Sequence, residues 1–270
     1  MSKRSLPIGV FDSGVGGITV ASKLKELFPH EDFIYVGDTK RNPYGPRPVE
    51  EILKFSLEIA KYLERKSIKL GVIACNTITV ISLEAIRKAV NYPVIGVSRG
   101  IKTAAALNKN KKVAVMATQA TINSHSHRQA AAAEYPELTI VEQACPALAH
   151  LIEMGKLSGE EILEPIREYL VPVMEAGVDT AVLGCTHFPF VQTLMEEVSH
   201  HKIAFVDPAM ETALKVQALL EKEQLLNPQQ KIGSMELCFT AGAERGGKLA
   251  GILIPAGSYS VKEIFLPPYK

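Results

Sequence analysis

Gly71-Val72-Ile73-Ala74-Cys75-Asn76-Thr77 and Ala181-Val182-Leu183-Gly184-Cys185-Thr186-His187 are two versions of one phrase. Each is a short apolar run ending in a small residue, then cysteine, then two polar groups, and each leads into a helix-like segment. Apolar runs without polar alternation fit strands covered on both faces, as in a parallel sheet. Working outward, the same reading predicts strands over 7–11, 32–36, 70–74, 93–97, 112–117, 138–141, 180–184, 203–206 and 236–240. Helical spacing fills the gaps. Over 49–66, Ile52, Phe55, Ile59 and Leu63 fall on one stripe. Over 158–176, Ser158 is the expected N-cap, with Glu161 completing a capping box and Gly177 at the C-terminal end. Strand–helix alternation implies an α/β class with parallel sheets. The pattern restarts after Val97, so two smaller sheets are expected rather than one. Boundaries fall near Gly100 and Pro208: 1–99, then 100–207, with 208–270 returning to complete the first domain.

Composition narrows the function. Across 270 residues, 30 Lys+Arg meet 29 Asp+Glu, a net charge of +1. That balance argues against a broad nucleic-acid surface, which needs clustered positive charge. No apolar run reaches ~18 residues, so no membrane span is expected. The N-terminus lacks the pattern of a secretory signal, and the cytoplasm is the expected location. The four cysteines include no C-x-x-C pair, which disfavours zinc and thioredoxin-type chemistry. Cys145 and Cys238 have apolar neighbours and read as structural. Cys75 and Cys185 sit where open α/β sheets bind ligands, at the carboxyl ends of strands. Each also precedes a helix N-terminus, whose dipole is expected to favour thiolate. Buried thiols also serve as core fillers, but two in matching polar contexts point to function.

Other candidates follow the first two strands. Asp12-Ser13-Gly14-Val15-Gly16-Gly17 is a glycine-rich turn carrying a carboxylate and a hydroxyl. Thr19 stands where a dinucleotide fingerprint needs its third glycine. The turn suits a small ligand bearing both ammonium and carboxylate. The loop from Asp38 to Arg47 is stiffened by Pro43, Gly45 and Pro46, and rigid polar loops line sites. His187 is placed to exchange a proton with Cys185. The pairs His125/His127 and His200/His201 read as solvated helix faces, and no metal site is expected.

Taken together and in order, these motifs resemble the glutamate racemase family over nearly the whole chain. The resemblance rests on Phe11 to Gly17, Asp38 to Arg47, Ala74-Cys75-Asn76-Thr77, Thr118 to Thr121, Cys145-Pro146 with Glu153, and Gly184-Cys185-Thr186-His187. It implies two α/β domains facing each other across a substrate cleft, with an amino acid held between two cysteines and no cofactor, neither pyridoxal phosphate nor metal. Carried over residue by residue, Cys75 would work on D-glutamate and Cys185 on L-glutamate. Asp12 would assist Cys75, His187 would assist Cys185, and Glu153 would lend support. Ser13, Pro43, Tyr44, Gly45, Asn76, Thr77, Thr118, Thr121 and Thr186 would contact the substrate, and the product would serve peptidoglycan synthesis in a bacterial host. The resemblance implies glutamate as the small-molecule partner and allows a homodimer. An aspartate or hydantoin racemase and a non-catalytic acidic amino-acid binding protein are the alternatives. The chain departs from the family at Ala117, where glycine is usual, at Ser98-Arg99-Gly100, which lacks a proline, and at Ser124-His125-Ser126-His127, which lacks an aromatic. Without a long N-terminal extension, activation by a cell-wall precursor is not expected.

Overall fold

The computed structural model describes residues 2–268. Its strands are β1 (Ile8–Asp12), β2 (Phe33–Gly37), β3 (Leu70–Ile73), β4 (Val94–Gly96), β5 (Lys112–Ala117), β6 (Thr139–Ala144), β7 (Thr180–Gly184), β8 (Ala204–Val206), β9 (Met235–Phe239) and β10 (Ser260–Glu263). They form two parallel sheets, one ordered β10-β9-β2-β1-β3-β4 and the other β6-β5-β7-β8. The nine expected strands are all present. Residues of β1, β3 and β7 are buried throughout, which is why their sequences are unbroken apolar runs. β10 escapes the sequence because it is a mostly exposed edge strand, Ser-Val-Lys-Glu, with no apolar run.

The two sheets share an arrangement. In β2-β1-β3-β4 and in β6-β5-β7-β8, the second strand of the unit lies on one side of the first and the third on the other. The winding reverses there, and ligands bind outside the carboxyl ends of strands at such a point. In the first sheet those ends carry Asp12 and Cys75; in the second they carry Thr118 and Cys185. The resemblance between the two cysteine phrases is therefore also a resemblance of position.

The helix Val49–Arg65 buries Ile52, Ile59 and Leu63 as the spacing predicts. Each fully buried aliphatic side chain contributes roughly 1.5–3 kcal/mol. Phe55, on the same stripe, does a different task. The Arg41 guanidinium lies 4.0 Å and that of Arg47 5.4 Å from its ring centroid, and the Tyr44 ring is 5.7 Å away. Phe55 thus braces the loop 38–47 from below.

Two local expectations are corrected. Ser158 does not cap the next helix, which runs Glu160–Glu175 and starts from Gly159 at φ +86° with no side-chain cap. Glu161 instead pairs with Lys156 at 2.7 Å. The histidine pairs are not solvated helix faces either. His200 and His201 are exposed, but in a turn at positive φ rather than on a helix. His127 is 2% exposed; burial and the nearby Arg99 push its imidazole down to about 4, and its Nε2 has no hydrogen-bond partner.

The chain passes from one sheet to the other after β4 and returns after β8. The outward crossing is clasped by the first turns of the helix Ala209–Lys222, which follows the return. The Ser98 N–H donates to Thr212 Oγ1 at 2.9 Å, and its hydroxyl donates to Glu211. Thr103, beyond the crossing, donates to the other Glu211 oxygen at 3.0 Å, and Lys215 donates to Ser98 Oγ at 3.1 Å. Hydrogen bonds thus hold a turn that lacks proline.

Far from the strand ends that carry the cysteines, the wholly buried Lys69 ammonium pairs with Glu31 at 2.5 Å and donates to the carbonyls of Arg4 and Leu225 at 2.7 and 2.8 Å. Removing one partner of a buried pair strands the other charge. Lys69→Met is therefore expected to cost about 3–5 kcal/mol by denaturant titration. Lys69→Met/Glu31→Leu should recover much of that loss; equal instability of single and double variants would count against this account. Among the described residues, no helix is long and apolar enough to cross a membrane.

Candidate active site

Loops from both sheets enclose one cavity. From the first come Ser13, Pro43, Tyr44, Gly45, Cys75, Asn76 and Thr77; from the second come Thr118, Cys185, Thr186 and His187. Asn42, Pro46, Gln119, Pro146, Ala149 and Gly184 complete the lining. Asp12, Thr121 and Glu153 do not line it; they stand directly behind. Cys145 and Cys238 are fully buried and do not line it.

The region behind the cavity is a set of hydrogen bonds crossing between the two halves. Asp12 accepts from the Thr186 hydroxyl at 2.9 Å and from Gly14 N–H at 3.0 Å. Glu153, at the end of the helix Pro146–Glu153, reciprocates by accepting from Val15 N–H at 2.7 Å. Each half thus supplies a buried carboxylate to the turn of the other. Thr77 joins Thr118 at 2.9 Å, and Thr121 lies 3.1 Å behind Thr118. The glycines of the first turn are what permit this approach. A Cβ at Gly14 would overlap Glu153 Oε1, and one at Gly16 would lie 2.5 Å from both Thr186 Oγ1 and His187 Nδ1. Ala117, the departure from glycine, faces Gly184 across the β5–β7 ladder and fills the space where a Gly184 Cβ would stand.

Tyr44 turns its hydroxyl away from the cavity to donate to Asp38, which also accepts from Arg41 Nε at 2.6 Å and Thr240 at 2.8 Å. Only its ring and backbone are left for a ligand. Tyr35, which an apolar strand gives no reason to single out, donates its hydroxyl to the Gly14 carbonyl at 2.5 Å and so fixes the first turn.

Electrostatics around the two cysteines differ. Burial, then the Asp12 carboxylate, push the Cys75 thiol up to about 12 against the smaller opposing pulls of Ile78 N–H and Ser13. The expectation that a helix dipole makes Cys75 a thiolate is corrected: desolvation and a neighbouring negative charge outweigh it. Burial also pushes the Asp12 carboxyl up, opposed chiefly by His187. His187 Nδ1 lies 3.7 Å from Cys185 Sγ and Nε2 lies 3.5 Å from Glu153 Oε1. Burial alone would lower its imidazole, but Cys185 and Glu153 win and hold it well above its usual range. The cavity thus has a protonated thiol on one side and an imidazolium–sulfur pair on the other. Iodoacetamide at pH 8 should alkylate Cys75 at least ~10-fold more slowly than a free cysteine, its thiolate scarcity partly offset by higher nucleophilicity. Asp12→Asn should speed that alkylation; peptide mass mapping reads both, and a fast wild-type Cys75 would refute the assignment. Among the described residues, no group of three or more His, Cys, Asp or Glu is placed to hold a metal ion.

Residues 17–216 match the model of the Asp/Glu/Hydantoin racemase family. The chain belongs to that family. A glutamate racemase of Herpetosiphon aurantiacus is 42% identical over 233 residues, 86% of this chain and 92% of that protein. The crystal structure of glutamate racemase isoform RacE1 from Bacillus anthracis superposes with a TM-score of 0.88 at 30% identity, covering 98% of this chain and 100% of that one. That of the Francisella tularensis glutamate racemase, in complex with D-glutamate, gives 0.86 at 29%, covering 98% of each.

Proposed function

We propose that the protein interconverts L- and D-glutamate, with Cys75 and Cys185 carrying the proton at opposite faces of the α-carbon. The observation that carries this reading is that two cysteines, each just beyond the third strand of an equivalent four-strand unit, line a single cavity from different sheets. The relatives above, named for glutamate, support the choice of substrate.

Racemisation removes the α-hydrogen from one face and returns one to the other, which two opposed groups do without the substrate turning over. In the L-to-D direction, the Cys185 thiolate takes the α-proton and becomes a thiol. Cys75, held as a thiol, gives its proton to the other face and is left as thiolate. The reverse direction exchanges their states. The imidazolium of His187 faces Cys185, and Asp12 stands behind Ser13 and Cys75. The intermediate places negative charge on the substrate carboxylate. The N-terminus of the helix Asn76–Ala89 borders the cavity to receive it. Every proton carrier in this scheme belongs to the chain, without pyridoxal phosphate or metal. D-glutamate so made would feed peptidoglycan synthesis.

Incubation with each enantiomer in deuterated water, without added cofactor, tests this. Loss of optical rotation should accompany α-deuterium incorporation from either side. Turnover of aspartate but not glutamate would move the substrate, and binding without exchange would make the protein a carrier. Asp12→Asn and His187→Asn should each lower kcat by about 10²-fold with KM within a few-fold, because their roles lie in proton transfer. A change confined to KM would refute those roles.

A further inference from the structure

The loop that enters the cavity between β2 and the helix Val49–Arg65 brings Asn42 against the first turn. Its Nδ2 lies 3.1 Å from the Ser13 carbonyl and 3.4 Å from Ser13 Oγ. The Ser13 carbonyl is only an acceptor, so the amide must present its nitrogen there, and the orientation of the side chain is fixed by chemistry. Two more groups meet the same hydroxyl. Cys75 Sγ lies 3.7 Å from Ser13 Oγ, and Ser13 Oγ lies 3.4 Å from Asp12 Oδ1.

A serine hydroxyl has one proton to give and two lone pairs to offer. Here the count closes: the proton goes to Asp12, one lone pair receives the Cys75 S–H, and the other receives the Asn42 N–H. When Cys75 has given up its proton it can no longer donate. The Ser13 hydroxyl must then rotate to donate to the thiolate. Its oxygen is held through that turn by the Asn42 amide, which also grips the Ser13 carbonyl.

We propose that Asn42 is a positioning residue for the Cys75 half of the reaction: its amide fixes the Ser13 hydroxyl, which accepts from the Cys75 thiol and donates to its thiolate. Among the described residues no such hydroxyl–amide pair meets Cys185, whose neighbour is His187 at 3.7 Å. The inference deepens the two-thiol reading and rests on it for its catalytic meaning, but it makes a claim about one sulfur that can be read without turnover.

The test is the alkylation of Cys75 by iodoacetamide at pH 9 in ligand-free full-length protein, with Cys185 in the same sample as the internal reference. Asn42→Ala is expected to slow Cys75 about 3–10-fold, the usual scale for one hydrogen bond, while Cys185 stays within two-fold. The kcat should fall by a similar factor with KM little changed. In a Ser13→Ala background, Asn42→Ala should have no further effect on Cys75, since the group it positions is gone. Asn42→Leu, of similar size but uncharged and without the N–H, should reproduce the slowing and serves where the alanine variant is poorly folded. An unchanged or faster Cys75, an equal change at Cys185, or an effect that persists without the Ser13 hydroxyl would overturn the proposal. If wild-type protein shows no racemisation, the functional reading fails while the thiol measurement still decides the positioning role.

Discussion

Cys75→Ala and Cys185→Ala should each lose racemisation by ~10³-fold or more, with fold and ligand affinity kept. Proton transfer by one positioned group contributes ~10²–10⁴-fold, and the neighbours are poor substitutes: Asp12 and Glu153, the nearest carboxylates, lie outside the cavity lining, and His187, which lines it, is held protonated and has no proton vacancy to fill. The two losses should differ in kind. With Cys75 gone, Cys185 still faces the α-hydrogen of L-glutamate, so residual exchange with deuterated water should be confined to that enantiomer. Cys185→Ala should show the reverse. Proton NMR of the α-position alongside polarimetry reads both. Near-normal racemisation by either variant, or exchange of both enantiomers by one of them, is incompatible with one carrier per face.

The second large effect belongs to a residue with no side chain. In Gly14→Ala the new methyl would overlap the Glu153 carboxylate and lie 2.6 Å from Asn42 Nδ2. Overpacking of this sort costs about 1–3 kcal/mol, and a chain of this size then loses several degrees in Tm. The cost to turnover is larger, because the carboxylate pushed aside also faces His187 and receives Val15 N–H. A loss of at least ~10²-fold in kcat/KM is expected, in line with the price of misplacing catalytic groups by an ångström. Glu153→Ala added to Gly14→Ala should restore much of the Tm but not the rate. Wild-type Tm and rate in the single variant would show that the turn has room to spare.

What could be read from sequence follows from which forces are local. The strands announced themselves because the sheets are covered on both faces, and Cys75 and Cys185 because a strand's carboxyl end is where the chain turns toward a ligand. β10 was silent because an exposed edge needs no apolar run. Tyr35 looked like one more strand residue; its hydroxyl matters only through the Gly14 carbonyl, 21 positions away. Asn42 and Gln119 lay inside motifs already singled out, but neither has a residue type that betrays a cavity wall. Glu153 reaches Val15 across 138 positions, which no spacing rule encodes. The acidity of Cys75 is hidden for the same reason: the helix after it is visible in sequence, whereas the burial and the Asp12 charge that prevail are tertiary.

The Glu211 clasp has a mechanical meaning. Ser98 before the crossing and Thr103 after it are tied to one carboxylate, and Lys215 of the same helix holds Ser98 as well. A sliding displacement of one sheet past the other would have to tear these bonds together, along with those that cross between the halves behind the cavity. The carboxylate therefore works as a rivet, keeping the two halves in register where the chain passes between them.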